Sequence, residues 1–292
     1  MTRGYLMHAY NNEELDYGTM ALSTALMIKK NLTINDVALV TNEGTINWLM
    51  TRYGEQLVNK AFDQILLAEN ETDVAKRTFH DTRYSSKAQP YYNSNRVTSY
   101  DISPFDETVL IDADYLVLDS SLDCVWGAAD DIMVNKSVRD LRHVSDMRGF
   151  DSRFNDMSIP LYWATVVYFK KTDRVRSVFD LMKLIKDNYN YYQELYKFSP
   201  SGYYRNDYAL SIALHMISGQ FESDSINPLP TDQLTFATEF DDMIGFSNGV
   251  AYFISEAGQG DFYLHKVFTN VHVMNKWSIV RMSSRIIEYA KD

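Results

Sequence analysis

Apolar and polar positions change period repeatedly along the first 120 residues, and each change marks an element. Gly4 to Tyr10 reads as a buried strand. Tyr17 to Lys30 then places Tyr17, Met20, Ala21, Ala25 and Ile28 on one helical face, with Lys29-Lys30 near its C-terminal end. Val37-Ala38-Leu39-Val40 predicts a second strand closed by a turn at Asn42-Glu43-Gly44. A helix from Ile46 to about Asn59 and a short strand at Gln64-Ile65-Leu66-Leu67 complete a β-α-β-α-β order. That order argues for a mainly parallel sheet with helices on its faces.

The polar stretch 69–96 breaks the pattern, scattering Arg77, His80, Arg83, Lys87 and Arg96 among Tyr84, Tyr91 and Tyr92. A long irregular segment of this kind is expected to be a binding loop or lid, or else plain decoration. A strand follows at Thr108-Val109-Leu110-Ile111, and residues 127–158 are polar again. Ala164 to Phe169 predicts a strand leading into one long amphipathic helix that carries Val175, Val178, Phe179, Met182, Ile185, Tyr189 and Tyr192. Another helix is expected from Asn206 to Ser218, then short strands and loops, then a closing helix from Ser278 to Ala290. No repeat, low-complexity tract or clean linker interrupts the chain, so a single α/β domain over 1–292 with a C-terminal extension is expected.

Composition adds three constraints. Apolar residues at 46% and charged residues at 23% leave ample material for a core and argue against disorder. Lys and Arg number 28 against 39 Asp and Glu, a net charge of −11, so net charge does not hold this chain to nucleic acid, although a local basic face still could. The single cysteine, Cys124, excludes an intramolecular disulfide. It points to a reducing compartment, with the cytoplasm as the expected location, and Cys124 itself is expected to be buried and inert. The N-terminal run Gly4 to Met7 is too short for a signal-peptide core. The longest apolar stretch, Leu161 to Phe169, falls short of the ~20 residues that span a bilayer, so no membrane association is expected. Aromatic content is high at 14%, and tyrosine serves both cores and ligand sites.

The sharpest chemical feature is Asp112-Ala113-Asp114, directly after the strand that ends at Ile111. Open parallel sheets bind ligands beyond the carboxyl ends of their strands, which is where these two carboxylates fall. If the chain bends there, both reach one hard cation such as Mg²⁺ or Mn²⁺, which can share them with a diphosphate. The bland alternative for any Asp-x-Asp is a surface turn or a helix cap. Haloacid-dehalogenase-type phosphatases also use two aspartates in this spacing, but with Thr or Val where this chain has Leu116, and near the start of their fold.

A broader resemblance runs along the chain. His8-Ala9-Tyr10-Asn11-Asn12, followed by Tyr17 to Leu26, resembles the first strand and helix of GT-A-fold sugar-nucleotide glycosyltransferases of the glycogenin and bacterial galactosyltransferase type. Val109 to Leu118 is similar to their strand, D-x-D and apolar tail. Arg205-Asn206-Asp207-Tyr208-Ala209-Leu210 resembles their D-Q-x-x-L helix start, with Tyr208 in place of Gln. His272-Val273-Met274-Asn275-Lys276-Trp277 resembles a shortened H…K-P-W closing segment without its Gly and Pro. Ser103 to Thr108 also resembles glycosyltransferase-like proteins of large tailed phages, some of which decorate hydroxymethylcytosine in DNA; the host cytoplasm would then be the location.

The resemblance implies a GT-A-like, Rossmann-type mixed sheet flanked by helices. Residues 1–125 would form the nucleotide-sugar half, and 126–292 the acceptor half and closing segment. It implies a retaining hexosyl- or pentosyltransferase that uses Mn²⁺ or Mg²⁺ and a nucleoside diphosphate sugar, with UDP expected. Asp112, Asp114 and His272 would bind the metal, and Lys276 the diphosphate. His8, Tyr10 and Asn11 would hold the nucleoside, and Asp207 the acceptor or a sugar hydroxyl. Against each stands an ordinary role: core packing for Tyr10, a surface position for His272 or Lys276, a helix-dipole contact for Asp207. Arg77, Arg83 and Arg96 are candidates to clamp phosphate. Arg139, Arg142, His143, Arg148 and Arg153 make a basic run that suggests DNA as acceptor, although Asp140, Asp146 and Asp151 lie in the same window. The alternatives are a glycosyltransferase-like binding or structural protein without turnover, and the phosphatase. A pyrophosphorylase is disfavoured because no Gly-rich, Arg-containing phosphate loop lies near the N-terminus.

Overall fold

The computed structural model describes residues 1–69, 75–92, 94–142, 153–154, 159–198, 203–218, 227–231, 234–256 and 260–291. The opening unit is β1 (Arg3–His8), α1 (Tyr17–Asn31), β2 (Val37–Thr41), α2 (Glu43–Tyr53), α3 (Glu55–Ala61) and β3 (Gln64–Leu67). Two local expectations change here. Asn42 does not close a turn; it caps α2, its side-chain oxygen accepting the Thr45 N–H at 2.8 Å. The single helix expected from Ile46 is split at Gly54, whose φ of 83° suits a residue without Cβ.

Much of the supposed irregular stretch is a hairpin, β4 (Lys76–Thr82) paired antiparallel with β5 (Ser85–Pro90). A 3₁₀ turn (Ser94–Thr98) and the short α4 (Ser99–Ile102) lead into β6 (Glu107–Ile111) and β7 (Tyr115–Leu116). The polar segment after residue 127 hides β8 (Ile132–Asn135) and β9 (Val138–Asp140), and all four residues of β8 are buried. Next come β10 (Trp163–Lys170), α5 (Asp173–Asp187), α6 (Tyr189–Tyr196) and α7 (Asn206–Ile217), so the one long helix expected is two, parted at Asn188. The last third holds β11 (Asn227–Pro228), β12 (Leu234–Ala237), β13 (Asp242–Ser247), β14 (Val250–Glu256), β15 (Phe262–Val267), β16 (Val271–Val273) and α8 (Lys276–Lys291).

The central sheet has the order β11-β8-β10-β6-β1-β2-β3. β6, β1, β2 and β3 run parallel, while β10 is antiparallel to both its neighbours, which makes the sheet mixed. Successive side chains on a strand point to opposite faces, and here both faces are covered. Tyr5, Met7, Val109, Ile111, Val166 and Tyr168 join the core shared with α1 and α8. Leu6, Leu110, Val167 and Phe169 join the core shared with α5 and α7. This mixed sheet flanked by helices is the fold class expected from the sequence. A second sheet, β7-β16-β12-β9, lies beside it, and β13, β14 and β15 form a third, antiparallel one.

Tyr208 is a packing residue: its ring meets Phe154 and Phe198 at centroid distances of 4.9 and 4.7 Å. Cys124 is exposed, contrary to expectation, because it lies on a surface 3₁₀ turn (Ser121–Val125) rather than in the core. Among the described residues no helix is long and apolar enough to cross a membrane.

The tightest backbone approach is at Gly4, where a Cβ would lie 2.4 Å from the Phe105 ring and 2.7 Å from the Asp36 carbonyl oxygen. Gly4→Ala is therefore expected to cost about 1–3 kcal/mol through overpacking, read as a lower urea midpoint with an unchanged slope.

Candidate active site

Ile111 ends β6, and the chain bends so that both aspartates face one point. The bend is tied on three sides. Asp112 N–H donates to the Thr165 carbonyl of β10 at 3.0 Å, and Thr24 Oγ1 of α1 donates to the Ala113 carbonyl at 2.9 Å. Val273 N–H of β16 donates to the Asp114 carbonyl at 2.9 Å. Because β16 pairs antiparallel with β7, His272 lies opposite Tyr115, one residue past the aspartate pair.

That register brings His272 Nε2 to 3.3 Å from Asp114 Oδ2 and 3.9 Å from Asp112 Oδ2. One ligand atom from each of the three residues lies within 4.8 Å of the others. Burial, with Arg77 and Arg96 adding to it, pushes the His272 imidazole down to about 3, so the ring is neutral at pH 7. Nδ1 lies 3.4 Å from Thr165 Oγ1; in the tautomer in which Nδ1–H donates to that hydroxyl, Nε2 presents a lone pair toward the two carboxylates. Three converging electron-pair donors, two of oxygen and one of imidazole nitrogen, fit a divalent cation such as Mg²⁺ or Mn²⁺.

Two protein cations also lie here. Lys276, the first residue of α8, forms an ion pair with Asp114, and Arg96 pairs with Asp112. Arg96 also donates to the Ala164 carbonyl at 3.0 Å, and burial pulls it down to about 10. Burial and the field of Arg77 hold Lys276 well below the usual lysine range, while its carboxylate partner works the other way.

The remaining expected site residues divide. His8, at the end of β1, is within 2.9 Å of Ser99 Oγ through Nε2, and burial, helped by Arg96, pushes its ring down to about 3. Tyr10 is buried with its ring 6.4 Å from that of Tyr92. Asp207, in the first turn of α7, is gripped by Arg205, whose Nε donates to Oδ1 at 3.1 Å. His8, Tyr10, Asp112, Asp114, Asp207, His272 and Lys276 all line one cleft of about 560 Å³. Asn11 is not among its lining residues; its side-chain oxygen accepts the Gly18 N–H at 2.7 Å and its own N–H donates to Thr45 Oγ1, which ties the β1–α1 loop down.

The basic run is dispersed. Arg139 donates to Thr235 Oγ1, Arg142 is paired with Asp140, and Arg153 joins Pro160 in an isolated bridge. Arg148 and His143 lie outside the described residues. Of the described members only Arg142 lines the cleft. Residues not singled out from sequence complete the walls: Thr165, Arg205, Glu239, Asp241 and Glu256. Arg77 pairs with Glu239 and lies over the rings of Phe79, Tyr91 and Tyr203 at 5.1, 5.3 and 5.9 Å. The sequence signal for the acidic partners is weak: Glu239 and Asp241 sit in the loop between β12 and β13 and Glu256 ends β14, with no motif that marks them.

No protein-family model and no curated protein sequence matches the chain. Among solved structures, it is similar to the galactosyltransferase LgtC in complex with donor and acceptor sugar analogues, at 14% identity and a TM-score of 0.43 over 72% of this chain and 70% of that one. It is similar to the glycosyltransferase GlyE of Streptococcus pneumoniae TIGR4 at 10% identity and a TM-score of 0.40, covering 79% of this chain and 45% of that one. Mouse xyloside xylosyltransferase 1 gives 10% identity and a TM-score of 0.42, over 78% and 85%. Likenesses of this size describe chain arrangement only.

His8 makes the fold sensitive to acid. Its folded value of about 3 lies below its unfolded 6.5, so across that window the unfolded chain binds the extra proton and stability falls as pH falls. Urea unfolding at pH 6 and pH 5 is expected to show a loss on the order of 1 kcal/mol from this ring, and His8→Gln should flatten that part of the slope.

Proposed function

We propose that this protein is a metal-dependent glycosyltransferase that takes a sugar from a nucleoside diphosphate, UDP being the expected nucleotide, and transfers it to a hydroxyl. The observation that carries the reading is the convergence of Asp112, Asp114 and His272 on one point in a cleft beyond the carboxyl end of a parallel strand. The resemblance of four separate sequence segments to the D-x-D glycosyltransferases supports it.

A divalent cation held by these three residues would supply positive charge to the departing diphosphate. Lys276 and Arg96, which pair with the same carboxylates, would bind diphosphate oxygens as well. Tyr10 and His8 flank the position expected for the nucleoside, at the carboxyl end of β1. Asp207, fixed by Arg205, orients the acceptor by accepting a hydrogen bond from its hydroxyl. In the transfer, the acceptor oxygen bonds to the anomeric carbon as the bond from that carbon to the diphosphate oxygen breaks; the hydroxyl proton ends on the diphosphate or in solvent.

Thermal unfolding with UDP and with UDP-sugars, each with and without Mn²⁺, tests the donor half. A Mn²⁺-dependent rise in Tm is expected from binding to the folded state, of several degrees at saturating ligand, and Asp112→Asn should abolish it. Nucleotides that leave Tm unchanged with Mn²⁺ present would overturn the reading. Hydroxymethylcytosine DNA, suggested by the likeness of Ser103 to Thr108 to phage glycosyltransferase-like proteins, belongs in the acceptor screen that follows.

A further inference from the structure

The cleft opens onto a surface that continues it. Glu256 ends β14 and lines the cleft, and β15 sets Phe262 directly opposite it in antiparallel register. Opposed residues of an antiparallel pair point to one face, and alternate residues along a strand share that face. Phe262 and then Leu264 therefore lead away from the cleft mouth along the outer face of the third sheet, and they are 67% and 61% exposed. On the other side of Glu256, Arg83 holds its carboxylate at 2.8 Å and lies 5.9 Å from the centre of the Phe240 ring. Phe240 is 47% exposed and lines the cleft. Single exposed apolar residues need no explanation, but Phe262 and Leu264 share one face of β15 and adjoin the cleft through Glu256, whose partner Arg83 also meets the cleft residue Phe240, and such a grouping at a cleft marks an interaction surface.

The charges along this side narrow the occupant. Arg83 is paired with Glu256, Arg77 with Glu239 and Arg142 with Asp140, while Asp241 adds a fourth carboxylate, so three arginines face four acids. A phosphodiester chain draws its affinity from cations free to replace its counterions, and these arginines are already compensated. A hydrocarbon tail would have to cover the Arg83–Glu256 ion pair and desolvate it without return. A sugar ring suits both features: its C–H face stacks on an aromatic ring and its hydroxyl edge bonds to paired charges.

We infer that the strip Phe240, Phe262 and Leu264 holds the body of an uncharged oligosaccharide whose terminal hydroxyl enters the cleft as acceptor. This rests on the glycosyltransferase reading and narrows its acceptor to a chain longer than the cleft itself. Titration calorimetry tests it, using the full chain with Mn²⁺ and UDP present and malto-, cello- and chito-oligosaccharides from two to six units as probes. In at least one series affinity is expected to rise about tenfold from disaccharide to hexasaccharide. Phe262→Ala and, separately, Leu264→Ser should remove the rise while leaving disaccharide and UDP binding unchanged. Absence of length dependence in all three series overturns the inference, as does length dependence that survives in both variants. Binding of a DNA duplex or of phosphatidylcholine vesicles that is lost in Phe262→Ala overturns it too. UDP binding in the same samples separates the two failures: if UDP binds and no chain does, only this inference falls, whereas loss of UDP binding removes the donor reading itself.

Discussion

Two carboxylates and the lone pair of a neutral imidazole are held within a few ångströms of one another, and like charges at that spacing repel unless a cation stands with them. Much of the surrounding architecture serves this convergence. β10, α1 and β16 each give the Asp112–Asp114 bend a hydrogen bond, so the repulsion cannot relax by turning the bend outward. Arg96 and Lys276 supply compensating charge from the protein itself. Their own ionised forms are weakened by burial, so the cluster and its cations are mutually dependent.

The cleft is lined by paired charges at both ends. Around the aspartate pair, Arg96 and Lys276 are each matched by a carboxylate, beside the neutral ring of His272. Along the wall formed by the β4–β5 hairpin and the loop after β12, arginines and acids occur in pairs between aromatic rings. A chain with a net charge of −11 repels anions at long range, so any anion that enters this cleft gains its attraction from groups inside it rather than from the molecule as a whole.

The parallel half of the fold was legible because β1, β2 and β6 are buried on both faces and so read as uninterrupted apolar runs; β3, at the sheet edge and partly exposed, still falls on the predicted Gln64 to Leu67 as a short apolar run. The hairpin was not legible, since β4 and β5 expose most of their residues and carry no alternation that separates them from a loop. β8 was hidden for a different reason: a four-residue strand inside a charged segment offers too few positions to show a period. Helix breaks at Gly54 and Asn188 also escaped, because apolar spacing continues across them while the backbone does not. In the site, Asp112 and Asp114 stood out by their place after a strand. Thr165, Glu239 and Glu256 had no such marker.

What the sequence determined by itself is local: the β-α-β-α-β order, the burial of β1 and β2, and two carboxylates delivered to the end of a further buried strand, β6. Those follow from periodicity and from spacing of a few residues. Tertiary structure decided which distant groups meet that pair. The β7–β16 register carries His272 to the aspartates, α8 then begins at Lys276 beside them, and the hairpin brings Arg77 against Glu239. Such meetings depend on strand pairing and packing between segments far apart in the chain, and one residue of slip between β7 and β16 would turn His272 to the opposite face.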